Sequence, residues 1–381
     1  MLTALRKMLR EWKGLQSFKR IPRNERKIVF YSEGRGYWSY FEPIFNALQA
    51  DHSVPVLYVT SAENDPMLAS PPAGMRPFYI GEGSVRTLFF ATLDVDVLLM
   101  TMPDLQSFHI KRSPLSVRYV YLHHSIVSTH MVYRAAAFDH FDSILCVGPH
   151  HVAEIRARET AQGIPAKTLV EHGYGRLDTI MKRGQQGPLP SSDGAIQVLV
   201  APTWGENALI ERHGLAAIRP LIDAGFRVVL RPHPRTRKLA PQILDEIASY
   251  YREEPRFRMD EDGDGTNSLL GSDIMLSDWS GAALEFALGL ERPVIFADVP
   301  RKALNPAYSE IGLDAIEVQA REQVGVVVPT ERLGELGSIV KAAVADSQRW
   351  QETIIEARKR WIYNLGKSGE TAAAYLVNLI K

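Results

Sequence analysis

The feature that most constrains this chain is a rhythm of short apolar runs alternating with helical stretches. Ile28-Val29-Phe30-Tyr31, Val54–Thr60, Val95–Met100, Tyr119–Leu122 and Ser143–Val147 are the first set, with helix-like segments between several of them. Such alternation predicts βαβ units and a mainly parallel sheet. Residues 183–195, dominated by glycine, proline and serine, keep no apolar period, so they predict an interdomain linker. The rhythm then restarts with Ile196–Ala201, Phe226–Leu230, Ile274–Ser277 and Pro293–Phe296. The chain therefore predicts an α/β protein built from two Rossmann-like domains with parallel sheets and a cleft between them. In open parallel sheets ligands bind beyond the carboxyl ends of the strands, which makes the residues just after each strand the ones to examine.

The totals fit that picture. A chain of 381 residues has room for two cores. Lys+Arg and Asp+Glu both number 44, so net charge selects no class of partner. Residues 1–27 differ, with nine Lys/Arg against Glu11 and Glu25. Cys146 is the only cysteine, so no intrachain disulfide forms. No run approaches the ~18 apolar residues of a spanning helix, and Lys7, Arg10 and Lys13 interrupt any signal-peptide core. A cytoplasmic location is the expectation.

Leu2, Leu5, Met8, Leu9, Trp12 and Leu15 recur at three- and four-residue steps, with Arg6, Lys7, Arg10 and Lys13 mostly on other faces. An apolar stripe, a tryptophan and a basic flank suit an interfacial helix on anionic lipid. The same pattern also suits a helix docked on the protein's own surface. Nucleic-acid binding has no accompanying aromatic-basic platform or finger motif.

Three strand ends carry candidate chemistry. Tyr119–Leu122 runs into His123-His124-Ser125, where an imidazole suits a general base and a strand-end cap is the alternative for one of the two histidines. Val228-Val229-Leu230 runs into Arg231-Pro232-His233-Pro234, where the prolines stiffen the turn around His233 and Arg231 and Arg235 suit phosphate. Ile274–Ser277 runs into Asp278-Trp279-Ser280-Gly281, with Ser280 at a helix N-cap position. The N–H groups of such a helix start would meet a phosphate, and Gly281 permits close approach. There is no Gly-x-x-x-x-Gly-Lys-Ser/Thr loop, no dinucleotide fingerprint and no His-x-x-x-His pair, so neither a P-loop enzyme nor a structural metal is indicated.

Six elements in register then resemble one family. Leu122-His123-His124-Ser125 stands where the CDP-glycerol glycerophosphotransferases, the teichoic-acid and capsule polymerases and primases, have Trp-His-Gly after a strand. His172-Gly173-Tyr174-Gly175-Arg176-Leu177-Asp178 is similar to their Tyr-Gly-x-Pro-Arg-x-Asp. Ala201-Pro202-Thr203-Trp204, Arg231-Pro232-His233, Leu276-Ser277-Asp278-Trp279-Ser280-Gly281 and Asn364-Leu365-Gly366-Lys367-Ser368-Gly369 follow in family order. The resemblance covers roughly residues 115–375. Ser125 replaces the family's glycine, Gly175 its proline and Gly281 its second serine.

The resemblance implies a GT-B-type fold, a CDP-linked alditol phosphate donor and peripheral attachment to the inner membrane face. It also implies that His124 and His233 line the active cleft. On that basis the segments are a basic leader helix (1–27), an N-terminal acceptor domain (28–190), a C-terminal nucleotide-donor domain (191–346) and terminal helices packing back on the N-terminal domain (347–381). The expected reaction is attack of an acceptor hydroxyl on the donor's β-phosphate with release of CMP, without cofactor or metal. The acceptor is a lipid-linked molecule or polymer, with residues 2–15 on the membrane surface and no nucleic acid involved. His124 is the expected base. His233 with Arg231 would steady phosphate charge, and Ser280 and Gly281 would hold the diphosphate. Thr203, Ser277, Asp278 and Glu285 are further donor-side candidates; His123, Gly173 and Arg176 are further cleft candidates. A glycosyltransferase using a nucleotide sugar, a nucleotide-sugar epimerase and an inactive polymer-binding protein are the alternatives.

Overall fold

Runs such as Ile28–Ser32 and Val56–Thr60 are buried along their whole length, as strands covered by helices on both faces must be. In the computed structural model, which describes residues 2–108, 110–187, 194–261 and 265–381, they belong to two separate parallel sheets. The first contains β1 (Ile28–Ser32), β2 (Val56–Thr60), β3 (Met75–Tyr79), β4 (Val97–Met100), β5 (Arg118–Leu122), β6 (Ser143–Cys146) and β7 (Thr168–Glu171), in the order β3-β2-β1-β4-β5-β6-β7. The second contains β8 (Gln197–Val200), β9 (Arg227–Leu230), β10 (Phe257–Met259), β11 (Ile274–Ser277), β12 (Val294–Ala297) and β13 (Gly325–Val328), in the order β10-β9-β8-β11-β12-β13. Every pairing between these strands is parallel. The two Rossmann-like domains predicted from the alternation are both present.

The chain divides into two compact units. One comprises the residues up to His124, Tyr133–Arg176 and Ile362–Lys381; the other comprises Ser125–Val132 and Leu177–Trp361. The division falls at Arg176/Leu177 rather than at 190/191, because helix Gly175–Gly184 already packs Leu177 and Ile180 against Gly289 of the second unit. Composition marked the 183–195 stretch, of which 188–193 lie outside the described residues. The tail also splits. Helix Ser347–Trp361 stays with the second unit, where Arg358 donates to the Leu288 carbonyl at 3.0 Å. Helix Ser368–Leu379 belongs to the first unit and packs on helix Trp38–Ala47, so only the part from Ile362 returns there. Gly369 permits that contact, since a Cβ there would come within 2.4 Å of the Pro43 carbonyl.

The leader forms helix Leu2–Lys19 and docks within the first unit against β3 and helix Ser84–Ala91. Gly14 lies flat on the Tyr79 backbone, Leu15 and Phe18 are buried, and the Phe18 ring meets Phe78 and Phe89 edge-on at 5.5 and 5.1 Å. The predicted stripe therefore divides. Leu15 packs inward, whereas Leu5, Met8, Leu9 and Trp12 are exposed, Leu9 by 59% and Trp12 by 39%. Among the described residues no helix is long and apolar enough to cross a membrane.

Candidate active site

Each sheet has one point where the chain reverses its direction of travel across the sheet, and there the strand ends open a crevice. In the first unit that point lies between β1 and β4, and in the second between β8 and β11.

Thr101 follows β4, and its carbonyl lies 3.0 Å from His124 Nδ1. A carbonyl only accepts, so Nδ1 carries the proton and the lone pair of the neutral ring is on Nε2. The Tyr121 hydroxyl is 3.3 Å from the same nitrogen, and the rings of Tyr37, Tyr40 and Tyr133 stand edge-on to the imidazole at 5.7, 6.2 and 6.0 Å. His124 is thus held at the switch point by its backbone-facing nitrogen. Glu33, just past β1, was not singled out from sequence. Burial pushes its carboxyl up to about 7, with the Tyr37 hydroxyl and the Arg86 charge opposing the rise.

His123 is a core residue. Its ring lies tilted against His151 at 3.8 Å and meets Tyr121 and Phe138, and burial followed by the neighbouring imidazoles drives its pKa well below the usual value. Gly173 serves packing: with φ +98°, a Cβ there would approach the Tyr363 carbonyl to 2.5 Å. Arg176 is buried, donates to Ser39 Oγ at 3.4 Å and lies over the Tyr40 ring at 5.8 Å.

In the second unit, Asp278 and Thr203 bridge the switch point. The buried Asp278 carboxylate accepts the N–H groups of Thr203 at 2.7 Å and Leu209 at 3.0 Å, pinning the loop after β8 to the end of β11. Burial raises its pKa against those hydrogen bonds. Ser277 is fully buried and donates to the Ala201 carbonyl at 2.7 Å, so it ties β11 to β8 instead of facing a ligand. Ser280 caps helix Gly281–Leu290, accepting the Ala282 N–H at 3.4 Å. Glu285 is buried one turn further along that helix.

His233 is the N-cap of helix Pro234–Leu239, and its Nδ1 accepts the Arg235 N–H at 3.0 Å. The neutral ring therefore carries its proton on Nε2, the reverse of His124. Burial, then Lys302, Arg235 and Arg231, lowers its pKa to about 4, so the ring is uncharged near neutral pH. Arg231 reaches back to the Gly265 carbonyl at 3.3 Å. A lysine absent from the sequence reading, Lys302, donates to Thr203 Oγ1 at 2.6 Å.

Ser125 and Gly281, two of the departures from the family pattern, touch each other within the second unit. A Cβ on Gly281 would come within 2.4 Å of Ser125 Oγ and 3.0 Å of Val127 Cγ1. The hydroxymethyl added at one position occupies the space vacated at the other.

The family described as CDP-Glycerol:Poly(glycerophosphate) glycerophosphotransferase matches residues 15–303. The chain belongs to this family. It is thus a CDP-glycerol glycerophosphotransferase-type enzyme. No curated protein matches it. Among solved structures, the wall teichoic acid polymerase TagF is similar at 16% identity and a TM-score of 0.65, with 100% of this chain and 98% of that chain covered. The UDP-GlcNAc 2-epimerase from Neisseria meningitidis bound to UDP-GlcNAc is similar at 15% identity and a TM-score of 0.60, covering 92% of this chain and 100% of that one. The putative UDP-N-acetylglucosamine 2-epimerase from Listeria monocytogenes gives 15% identity and a TM-score of 0.62 over 93% and 96%. These likenesses establish the fold that the glycerophosphotransferase shares with them, the paired Rossmann-like domains of the GT-B type.

Proposed function

We propose that this glycerophosphotransferase moves glycerol phosphate from CDP-glycerol to a hydroxyl of a membrane-associated cell-surface polymer or lipid-linked acceptor, releasing CMP. The observation that carries the reading is the opposite tautomers of His124 and His233. One imidazole offers a lone pair to a proton, and the other offers an N–H to an oxyanion. The acceptor hydroxyl gives its proton to His124 Nε2 as its oxygen attacks the β-phosphorus. The bond from that phosphorus to the bridging oxygen breaks, and CMP leaves with the electron pair. His233 Nε2–H, the Arg231 guanidinium and the first turn of helix Gly281–Leu290 stabilise the phosphoryl oxygens, where fixed dipoles and charge are most effective. Thr203 and Asp278 hold the loop that shapes this end of the sheet.

The leader helix supports attachment to the inner face of the membrane. Its Leu5, Met8, Leu9 and Trp12 stay exposed after the helix has docked through Leu15 and Phe18, and Arg6, Lys7, Arg10 and Lys13 border them. An anionic lipid surface matches both features. The test is incubation with CDP-glycerol, CDP-ribitol and UDP-sugars beside a lipid-linked acceptor. Acceptor-dependent release of CMP is expected, and release of a uridine nucleotide would favour sugar transfer.

A further inference from the structure

Trp204, in the loop after β8, has two cations against its ring. The Arg235 guanidinium lies 4.0 Å from the ring centre and the Lys302 ammonium 4.1 Å, with the His233 ring at 6.1 Å. Lys302 also lines a pocket of about 160 Å³ with Thr203, Trp204, Ala208, Trp279 and Arg301, formed by the segments that follow β8, β11 and β12. Its Nζ donates one hydrogen bond to Thr203 Oγ1, and an ammonium has three protons to give. The groups facing it are Asp278 after β11, Glu211 on helix Leu209–His213, Arg235 on helix Pro234–Leu239 and His233 at that helix's N-cap. Asp278 is committed to two backbone N–H groups, and Glu211 accepts from the Thr236 hydroxyl at 2.7 Å. Asp278 is thus committed to the loops it organises, whereas Glu211 engages only Oε1 and its Oε2 is buried without a hydrogen-bond partner.

Resting on the glycerophosphotransferase reading, we infer that Lys302 is the cation for the nucleotide's own phosphate, the one that departs as CMP. When the bond to the β-phosphorus breaks, the bridging oxygen keeps the electron pair and the CMP phosphate gains a negative charge. An ammonium fixed by Thr203 and Trp204 neutralises that charge without itself changing protonation, while the acceptor's proton rests on His124. The acidic neighbours keep the ammonium charged below neutrality, and burial, aided by Arg235, brings its pKa down to about 8. Nucleotide binding and turnover are accordingly expected to weaken as the pH rises through that value.

The test compares CMP with cytidine by isothermal titration calorimetry, from pH 6.5 to pH 9.5, in wild type, Lys302→Met and Lys302→Arg. Wild type is expected to prefer CMP, with the preference fading above about pH 8. Lys302→Met should lose about 30-fold in CMP affinity and almost nothing for cytidine. Lys302→Arg should restore the preference and remove the alkaline decline. Equal CMP affinity in wild type and Lys302→Met, or no preference for CMP in wild type, would overturn the assignment. CDP-glycerol turnover by wild type is read in parallel. A wild type that prefers CMP through Lys302 yet leaves CDP-glycerol intact contradicts the donor reading and not the lysine.

Discussion

Ser125 and Gly281 fill one another's space, since a Cβ on Gly281 would lie 2.4 Å from Ser125 Oγ. The two departures from the family pattern are therefore one exchange of volume. Gly281→Ser alone is expected to destabilise the protein by about 2 kcal/mol through overpacking. The double variant Ser125→Gly/Gly281→Ser should recover to within about 1 kcal/mol of wild type. Urea denaturation of the four proteins of this cycle measures the coupling; additive losses would show that the contact is not what selects the pair.

His233 serves both as a helix cap and as the Nε2–H donor, and these roles separate by substitution. Asn is a good N-cap but cannot place a donor at the Nε2 position. His233→Asn should keep the melting temperature near that of wild type while CMP release falls about 100-fold, the usual effect of losing an oxyanion donor. A parallel loss of both would assign His233 to structure alone.

Acid should destabilise the fold in a defined window. Burial lowers His172 and His233 to about 4 from an ordinary 6.5 and drives His123 well below it. Unfolded imidazoles take up protons first as the pH falls, so stability declines from pH 6.5 towards 4 and is fully present above 6.5. Urea midpoints measured at pH 7.5, 6 and 4.5 should fall in that order. His123→Phe, which keeps an aromatic ring against His151, should make the decline shallower.

Much of the fold was legible in the sequence, and three of the four strands that escaped share a cause, the exception being the apolar Gly325–Val328. β3, β7, β10 and β13 were not anticipated, and they are the four edges of the two sheets. Central strands are covered on both faces and read as unbroken apolar runs. An edge strand needs fewer apolar residues: β3 carries Arg76 and Pro77, β7 has Thr168 and Glu171 exposed, and β10 is three residues long. His124, His233 and the Ser280 cap were readable because they follow central strands. Ser277 and His123 follow or sit beside them too, but period and position cannot distinguish a side chain that faces outward from one folded into the core. Lys302 gave no local signal, since its environment is assembled from Thr203, Trp204 and Asp278, far away in the chain.

The exposed half of the leader stripe should behave independently of the docked half. Leu9→Glu/Trp12→Glu is expected to abolish co-sedimentation with phosphatidylglycerol vesicles while leaving the melting temperature unchanged. Leu15→Ala should instead lower stability by about 2–4 kcal/mol through a cavity beside Phe18 and Phe89. Unchanged sedimentation of the double variant would remove the membrane role.

The most direct test of the catalytic account is acceptor-dependent CMP release from CDP-glycerol by His124→Ala, measured beside its thermal melt. Loss of the base should slow release by about 100-fold or more while the melt stays cooperative and close to wild type. A folded variant that retains more than roughly a tenth of the wild-type rate would contradict His124 as the group that takes the proton.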